Sequence, residues 1–348
     1  MRIEDEIKLT FDDVLIRPKR STLISRSEVH LERSFKFKHT ESVWNGVPIV
    51  SANMDTTGTF ETAISLQKHK MITAIHKFYT VDDWKKNISE LDPNYIAVTV
   101  GQSDDDLELA KNIFNLNNEI KFLCIDVANG YREDFINAVK KYRDTFNEKI
   151  IIAGNVATRE MTEALILAGA DIVKIGIGPG SVCTTRSVAG VGYPQLSSIS
   201  ECSDAAHGLG GHVMADGGCK FPGDVSKAFG AGADFVMLGG MFAGHEESGG
   251  ELVSDDDGVM YKDFYGMSST KAQQTYYGDL AEHRAPEGKK VRLKYKGPID
   301  TTIQSILGGV RSACSYVGAK TLKDLPKCTT FIRVTQTTNE IFTTFENH

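Results

Sequence analysis

The 348-residue sequence contains no CxxC pair, no His/Cys cluster, no apolar run long enough to span a membrane and no excess of basic residues. Each absence removes a class of protein. The six cysteines (124, 183, 202, 219, 314 and 328) are scattered, which argues against a disulfide framework or structural zinc and for a reducing, cytoplasmic setting. A membrane helix needs about 20 consecutive apolar residues, so a membrane-spanning role is not expected. The net charge of −7 argues against nucleic acid as a general partner, because nonspecific phosphate binding needs a basic face. It leaves room for one phosphate in a local pocket. The first residues, Met1-Arg2-Ile3-Glu4-Asp5-Glu6, are acidic and have no apolar h-region, so a signal peptide is not expected.

What is present is enough for a full core: 41% hydrophobic residues, with 24% charged. Apolar, β-branched runs lie at 47–52, 71–76, 95–100, 120–127, 150–155, 172–177, 212–215 and 235–238. Segments of helical spacing or composition separate them, at 59–69, 81–90, 104–115, 133–146, 159–168, 196–207 and 223–230. Near-continuous apolar strands belong to a parallel sheet covered on both faces. Eight strands, each followed by a helix, predict an α/β fold, a (β/α)8 TIM barrel, with the eighth helix at 302–317. The phrase Ala-Gly-Ala-Asp at 168–171 recurs at 231–234, a helix end, turn and strand start repeated two βα units later. A doubly wound sheet would want a Gly-rich turn after its first strand, where Ser51-Ala52-Asn53-Met54-Asp55 stands instead. The expected organisation is one barrel domain over 1–348, with an N-terminal arm at 1–46 closing one end. An insertion at 241–298 should separate strand 8 from helix 8.

In such a barrel the chemistry sits at the carboxyl ends of the strands. Here those ends are polar or glycine-rich: Asn53 to Asp55, His76 and Lys77, Asp126 with Ala128 and Asn129, Gly154 and Asn155, Asp216-Gly217-Gly218, and Gly239-Gly240. The glycines after strands 7 and 8 occupy the usual phosphate position of this fold, although tight turns needed for closure are the competing reading. After strand 6 comes Gly178-Pro179-Gly180-Ser181-Val182-Cys183-Thr184-Thr185-Arg186. Glycines let such a loop aim its backbone at one point and present Cys183 as a nucleophile. A buried, inert cysteine at a strand-to-helix turn remains the alternative. The insertion pairs 252–253 with 259–261 as a hairpin around a polar tip, followed by a long polar stretch that reads as a lid or as disorder.

The Cys183 loop resembles the signature of the IMP dehydrogenase/GMP reductase family. So do Asp216-Gly217-Gly218, the 264–269 stretch, the arm from Phe11 to Ser21 and the segment at 329–334. The resemblance covers nearly the whole chain. Within the family the chain is similar to the reductase branch. It has no room for the CBS pair usual in the dehydrogenases, and its 279–288 stretch lacks their Arg-Tyr pair. The resemblance implies NADPH-dependent reduction of GMP to IMP and ammonia through a Cys183 thioimidate, with Thr185 and Glu287 transferring protons. As a mere helix cap Thr185 would do less. It further implies GMP contacts from Asp216, Gly217, Gly218, Gly239, Gly240, Gly266, Met267, Ser268, Arg284, Ala285, Pro286, Glu287 and Gly288. NADPH contacts would come from Ser25, Arg26, Lys77, Asp126, Val127, Ala128, His283 and Arg284. Carbonyls of Gly178, Gly180, Cys183 and Arg186 would bind a potassium ion, and the assembly would be a homotetramer. The chain departs from the family pattern at His283, where tyrosine is usual, and at Pro286, where alanine or serine is usual. IMP dehydrogenation, nucleotide binding without turnover and cysteine-dependent hydrolysis are the alternative functions, and the last lacks a specific histidine base in the sequence.

Overall fold

The computed structural model describes residues 1–276, 278 and 285–335. Eight strands form a closed barrel: β1 (Ile49–Ser51), β2 (Ile72–Ile75), β3 (Ile96–Val100), β4 (Phe122–Asp126), β5 (Ile150–Val156), β6 (Ile172–Ile175), β7 (His212–Asp216) and β8 (Phe235–Leu238). Every neighbouring pair is parallel, and β8 closes on β1 through Val236↔Ile49 and Leu238↔Ser51. The returning helices are α1 (Phe60–Gln67), α2 (Val81–Asn87), α3 (Asp104–Leu116), α4 (Glu133–Thr145), α5 (Arg159–Leu167), α6 (Gln195–Gly208), α7 (Pro222–Gly230) and α8 (Asp300–Val317). This is the expected (β/α)8 barrel. Among the described residues no helix is long and apolar enough to cross a membrane.

Local chemistry sets the helix ends. Thr80 with Asp83 and Ser103 with Asp106 are reciprocal capping boxes that satisfy the first amides of α2 and α3. Gly318, in the left-handed region at φ 76°, ends α8. Strand side chains alternate between two cores. Ile72, Phe122, Ile152 and Phe235 fill the barrel interior, while Val98, Leu123, Ile151 and Val173 face the helices.

The arm runs from mouth to base. Phe11 lies against Gly218 at the mouth, and Val14–Ile16 pairs antiparallel with Phe331–Arg333. The chain then follows the end of α8, where Lys19 bonds Tyr316 and His30 bonds Lys320. A hairpin of Arg33–Lys36 and Val43–Gly46 finally plugs the base. Its Phe35 stacks on Phe235 at 4.5 Å, and fully buried Trp44 donates to the Asn94 carbonyl at 2.8 Å. The sequence reading anticipated closure by the arm but not this hairpin.

Between β8 and α8 the chain forms a three-stranded antiparallel sheet, Leu252–Ser254, Met260–Tyr265 and Lys290–Lys294, plus a helix, Thr270–Tyr276. The hairpin was expected. The third strand was not: Lys-Val-Arg-Leu-Lys alternates with period two, and its charges hid it within a polar stretch.

Candidate active site

At the carboxyl ends of the strands, the chain leaving β6 turns through residues 176–184 into a short helix, Thr185–Val188. Val182 anchors this loop, buried against Ala243 and Phe264 of the insertion. The Cys183 amide donates to the Gly180 carbonyl at 3.1 Å, a tight turn that leaves the thiol partly exposed. The insertion fastens to the same loop through its backbone. Cys183 bridges Gly288, Lys289 donates to Val182 at 2.9 Å, and Thr184 donates to the Glu287 carbonyl at 3.0 Å. The Glu287 amide in turn donates to Ser268 at 3.1 Å.

Those bonds align three side chains. Cys183 Sγ lies 3.3 Å from Thr185 Oγ1, which donates to Glu287 Oε2 at 2.7 Å. With the Thr185 proton committed to Glu287, its lone pairs face the thiol. The series therefore leads a proton from sulfur to carboxylate. Residues 102 positions apart are thus joined in one relay. Among the described residues no histidine bonds Cys183. Burial pushes the Cys124 thiol up to about 12, Cys202 to about 11 and Cys314 to about 12, leaving them inert as nucleophiles.

Beside the relay lies a glycine-lined corner. Gly217 and Gly218 take φ of 91° and 88°, and a Cβ on Gly217 would sit 3.2 Å from the Gly180 amide nitrogen. A Cβ on Gly240 would sit 3.1 Å from Ser181 Oγ. Side chains here would fill a cradle that suits an oxyanion. Gly266 joins it, its amide bonded to the Lys289 carbonyl at 3.2 Å. Met267 and Ser268 are partly exposed beside it, and Ala285 and Pro286 are exposed.

The floor of the mouth is polar. Lys174 projects from β6 and is 2% exposed. Its Nζ lies 2.6 Å from Asp126 Oδ1, 3.1 Å from Asp216 Oδ2 and 3.4 Å from Asn53 Oδ1. Asn155 donates to Asp216 Oδ2 at 2.9 Å. Among the described residues no hydrogen bond reaches Asp216 Oδ1. Burial raises the Asp126 carboxyl, but Lys174 and Lys77 outweigh it and hold it below the usual range. Burial alone would depress Lys174, yet Asp126 and Asp216 raise it well above an ordinary lysine. Along one rim, Tyr265 and Tyr276 of the insertion both donate to Asp55 Oδ2, at 2.5 and 2.7 Å. Tyr276 stacks on Phe78 at 3.6 Å, next to Lys77. Burial pushes His76 down to about 4, so it is neutral near pH 7.

The fold therefore brings together Cys183, Thr185 and Glu287 with Gly266, Ser268 and Gly288. Asp126 with Val127 and Ala128, Lys77, and Gly239 with Gly240 line the same end. Ser25 and Arg26 stand elsewhere: Arg26–Glu28 is a turn packed on α8, in the arm's run toward the base. His283 and Arg284 lie outside the described residues. Sequence reasoning gave no role to Lys174, Tyr265 or Tyr276, and placed Asn155 and Asp55 only among the polar strand ends. A lysine inside an otherwise apolar strand was the available signal for the first. One further cluster has metal-like spacing, His207, His212 and Asp234. It lies at the base, where Arg33 sits 3.3 Å from Asp234 Oδ1 and supplies the cation.

A family model described as "IMP dehydrogenase / GMP reductase domain" matches residues 8–341. The chain is 56% identical over 348 residues to a GMP reductase of Caenorhabditis elegans, covering 99% of this chain and 97% of that protein. It is 58% identical over 345 residues to GMP reductases of Shigella boydii serotype 4 (strain Sb227) and Escherichia coli O81 (strain ED1a), covering 98% of this chain and 99% of each.

Proposed function

The chain belongs to the IMP dehydrogenase/GMP reductase family, and from that premise we propose that it reduces GMP to IMP and ammonia with NADPH, using Cys183 as nucleophile. The observation that carries this reading is the series Cys183–Thr185–Glu287, with spacings of 3.3 and 2.7 Å. The thiol proton passes through Thr185 to Glu287 as Sγ adds to carbon 2 of the guanine ring. Glu287 returns a proton to the departing amine, and ammonia leaves a thioimidate on Cys183. NADPH, when bound, supplies the hydride that reduces this carbon. The carbon–sulfur bond then breaks, releasing IMP and a thiolate. Overall one hydride and two solvent protons are consumed, and ammonium departs.

The nucleotide phosphate suits the cradle of Gly217, Gly218, Gly239, Gly240 and Ser181. A ribose hydroxyl suits Asp216 Oδ1. Gly266 to Ser268 and 285–288 suit the base, as would Arg284. Lys77 and Asp126 to Ala128 face the cofactor, as would His283 and Arg284. Carbonyls of Gly178, Gly180, Cys183 and Arg186 would hold a potassium ion. The donor set is neutral and contains no carboxylate, which fits a large monovalent cation. The Gly180 carbonyl accepts from Cys183 at 3.1 Å and keeps a second lone pair. Such an ion would fix the loop. Ser25 and Arg26 would reach a cofactor only at a neighbouring copy's mouth, which agrees with a homotetramer.

The test is one spectrophotometric assay with ammonia detection. GMP should oxidise NADPH with one ammonia released per turnover. Activity with IMP and NAD instead would mean a dehydrogenase, and binding without turnover would mean a sensor.

A further inference from the structure

We propose that Lys174 is a positioning residue that ties the nucleotide subsite to the cofactor subsite, so that filling one tightens the other. The inference rests on the assignment of Asp216 to GMP and Asp126 to NADPH. An ammonium has three donors, and here three acceptors meet it from three strands or their ends: Asp126 from β4, Asp216 from β7 and Asn53 beyond β1. Its side chain is only 3% exposed. Asn155 fixes the same Asp216 oxygen at 2.9 Å. Asp216 thus has one oxygen in the shared network, Asp126 takes Asn53 as well as Lys174, and both residues border the cleft.

A plain structural ion pair would look different. Arg143 and Asp171 sit away from the mouth, and the Asp171 oxygens are occupied by Arg143 and by the amides of His39 and Ile151. Around Lys174 acceptor capacity is left for ligands. When GMP orders Asp216, Lys174 is ordered with it, and Asp126 is held in place before the cofactor arrives. The ordering cost is then met once for two ligands, which is positive cooperativity.

The groups facing Lys174 are Asp126, Asp216, the buried Cys124 thiol and the amides of Asn53 and Asn155. Lys77 acts on Asp126 from the rim. Without Lys174, two carboxylates share one pocket with no cation between them, and one of them takes up a proton as pH falls.

The experiment is calorimetry on the full-length protein with GMP and NADP⁺, a pair between which no hydride can pass. For the wild type, saturating NADP⁺ should tighten GMP by about 5-fold or more. In Lys174→Met that factor should fall to about 1 and kcat/KM should drop by about 10²–10³-fold. The variant should recover part of its activity between pH 8 and pH 6, where the wild type does not. Lys174→Arg should keep most of the coupling. If Lys174→Met does not fold, Asp126→Asn reads the same quantity at an NADP⁺ concentration shown by direct titration to saturate that variant, since GMP affinity should then ignore the bound NADP⁺. A folded Lys174→Met, or Asp126→Asn, with wild-type coupling overturns the proposal. A wild type that neither binds GMP nor oxidises NADPH overturns the functional reading instead, and the inference with it.

Discussion

The two ends of the barrel hold buried carboxylates in opposite ways. At the base, Asp171 takes Arg143 and the amides of His39 and Ile151, and Asp234 takes Arg33, His207, His212 and the Val213 amide. Both aspartates come from the repeated Ala-Gly-Ala-Asp phrase, so the repeat is a device for stapling strand starts to the layers around them. At the mouth, Asp126 and Asp216 share one buried lysine, and Asp216 Oδ1 has no hydrogen bond among the described residues. A carboxylate whose lone pairs are filled holds structure together. One left partly open is held ready for a ligand.

The largest effect belongs to the mouth. Cys183→Ser should bind GMP but lose about 10⁴-fold or more in turnover, because a serine hydroxyl is far less acidic than a thiol and a carboxylate reached through Thr185 is too weak a base to ionise it. Kinetics with a parallel GMP titration check this, and turnover within tenfold of the wild type would remove Cys183 from the mechanism.

A comparable change at the base should affect stability instead. Asp171→Asn leaves the Arg143 guanidinium buried without its counter-charge. Losing one partner of a buried pair costs about 3–5 kcal/mol, so the midpoint of urea unfolding should fall sharply while kcat of the folded fraction stays unchanged. A variant that is stable but slow would break the division between the two ends.

The smallest effect is a pH dependence of stability at the base. For His212 burial lowers the pKa, but the Asp234 carboxylate outweighs it and the net shift is upward. A raised histidine contributes stability below its unfolded value, near 6.5, and that contribution is lost as pH rises through the folded value. The Asp234 carboxyl is held well below its ordinary range by His207 and His212, so its share persists above about pH 4 and fades only in strong acid. The Tm should therefore decline slightly from pH 6 to pH 8, and His212→Gln should flatten that slope. An unchanged slope in the variant would remove His212 as its source.

Much of the barrel was legible because its signals are local. Strand runs, helical spacing and the AGAD repeat each act over a few neighbouring positions. The Cys183 loop was legible for the same reason, since its glycines and its nucleophile are contiguous. The plug hairpin was not. Phe35, Phe37 and Trp44 are separated by charged and polar residues, and only closure of the barrel base explains their burial. Lys174 was hidden by its apolar neighbours, and its partners Asp126 and Asp216 are 48 and 42 positions away. The Asp55 clamp is more remote still, with Tyr265 and Tyr276 arriving from 210 and 221 positions along the chain.

The account turns on Glu287 serving proton transfer through Thr185, and single-turnover traces of Glu287→Gln test it most directly. Ammonia release from GMP should slow by about 10²–10⁴-fold, the usual worth of a general acid–base group. Hydride transfer, followed backwards from IMP and NADP⁺, should change far less, because it needs alignment but no proton from Glu287. Equal slowing of both half-reactions, or a rise in the GMP Michaelis constant with both steps intact, would contradict the relay.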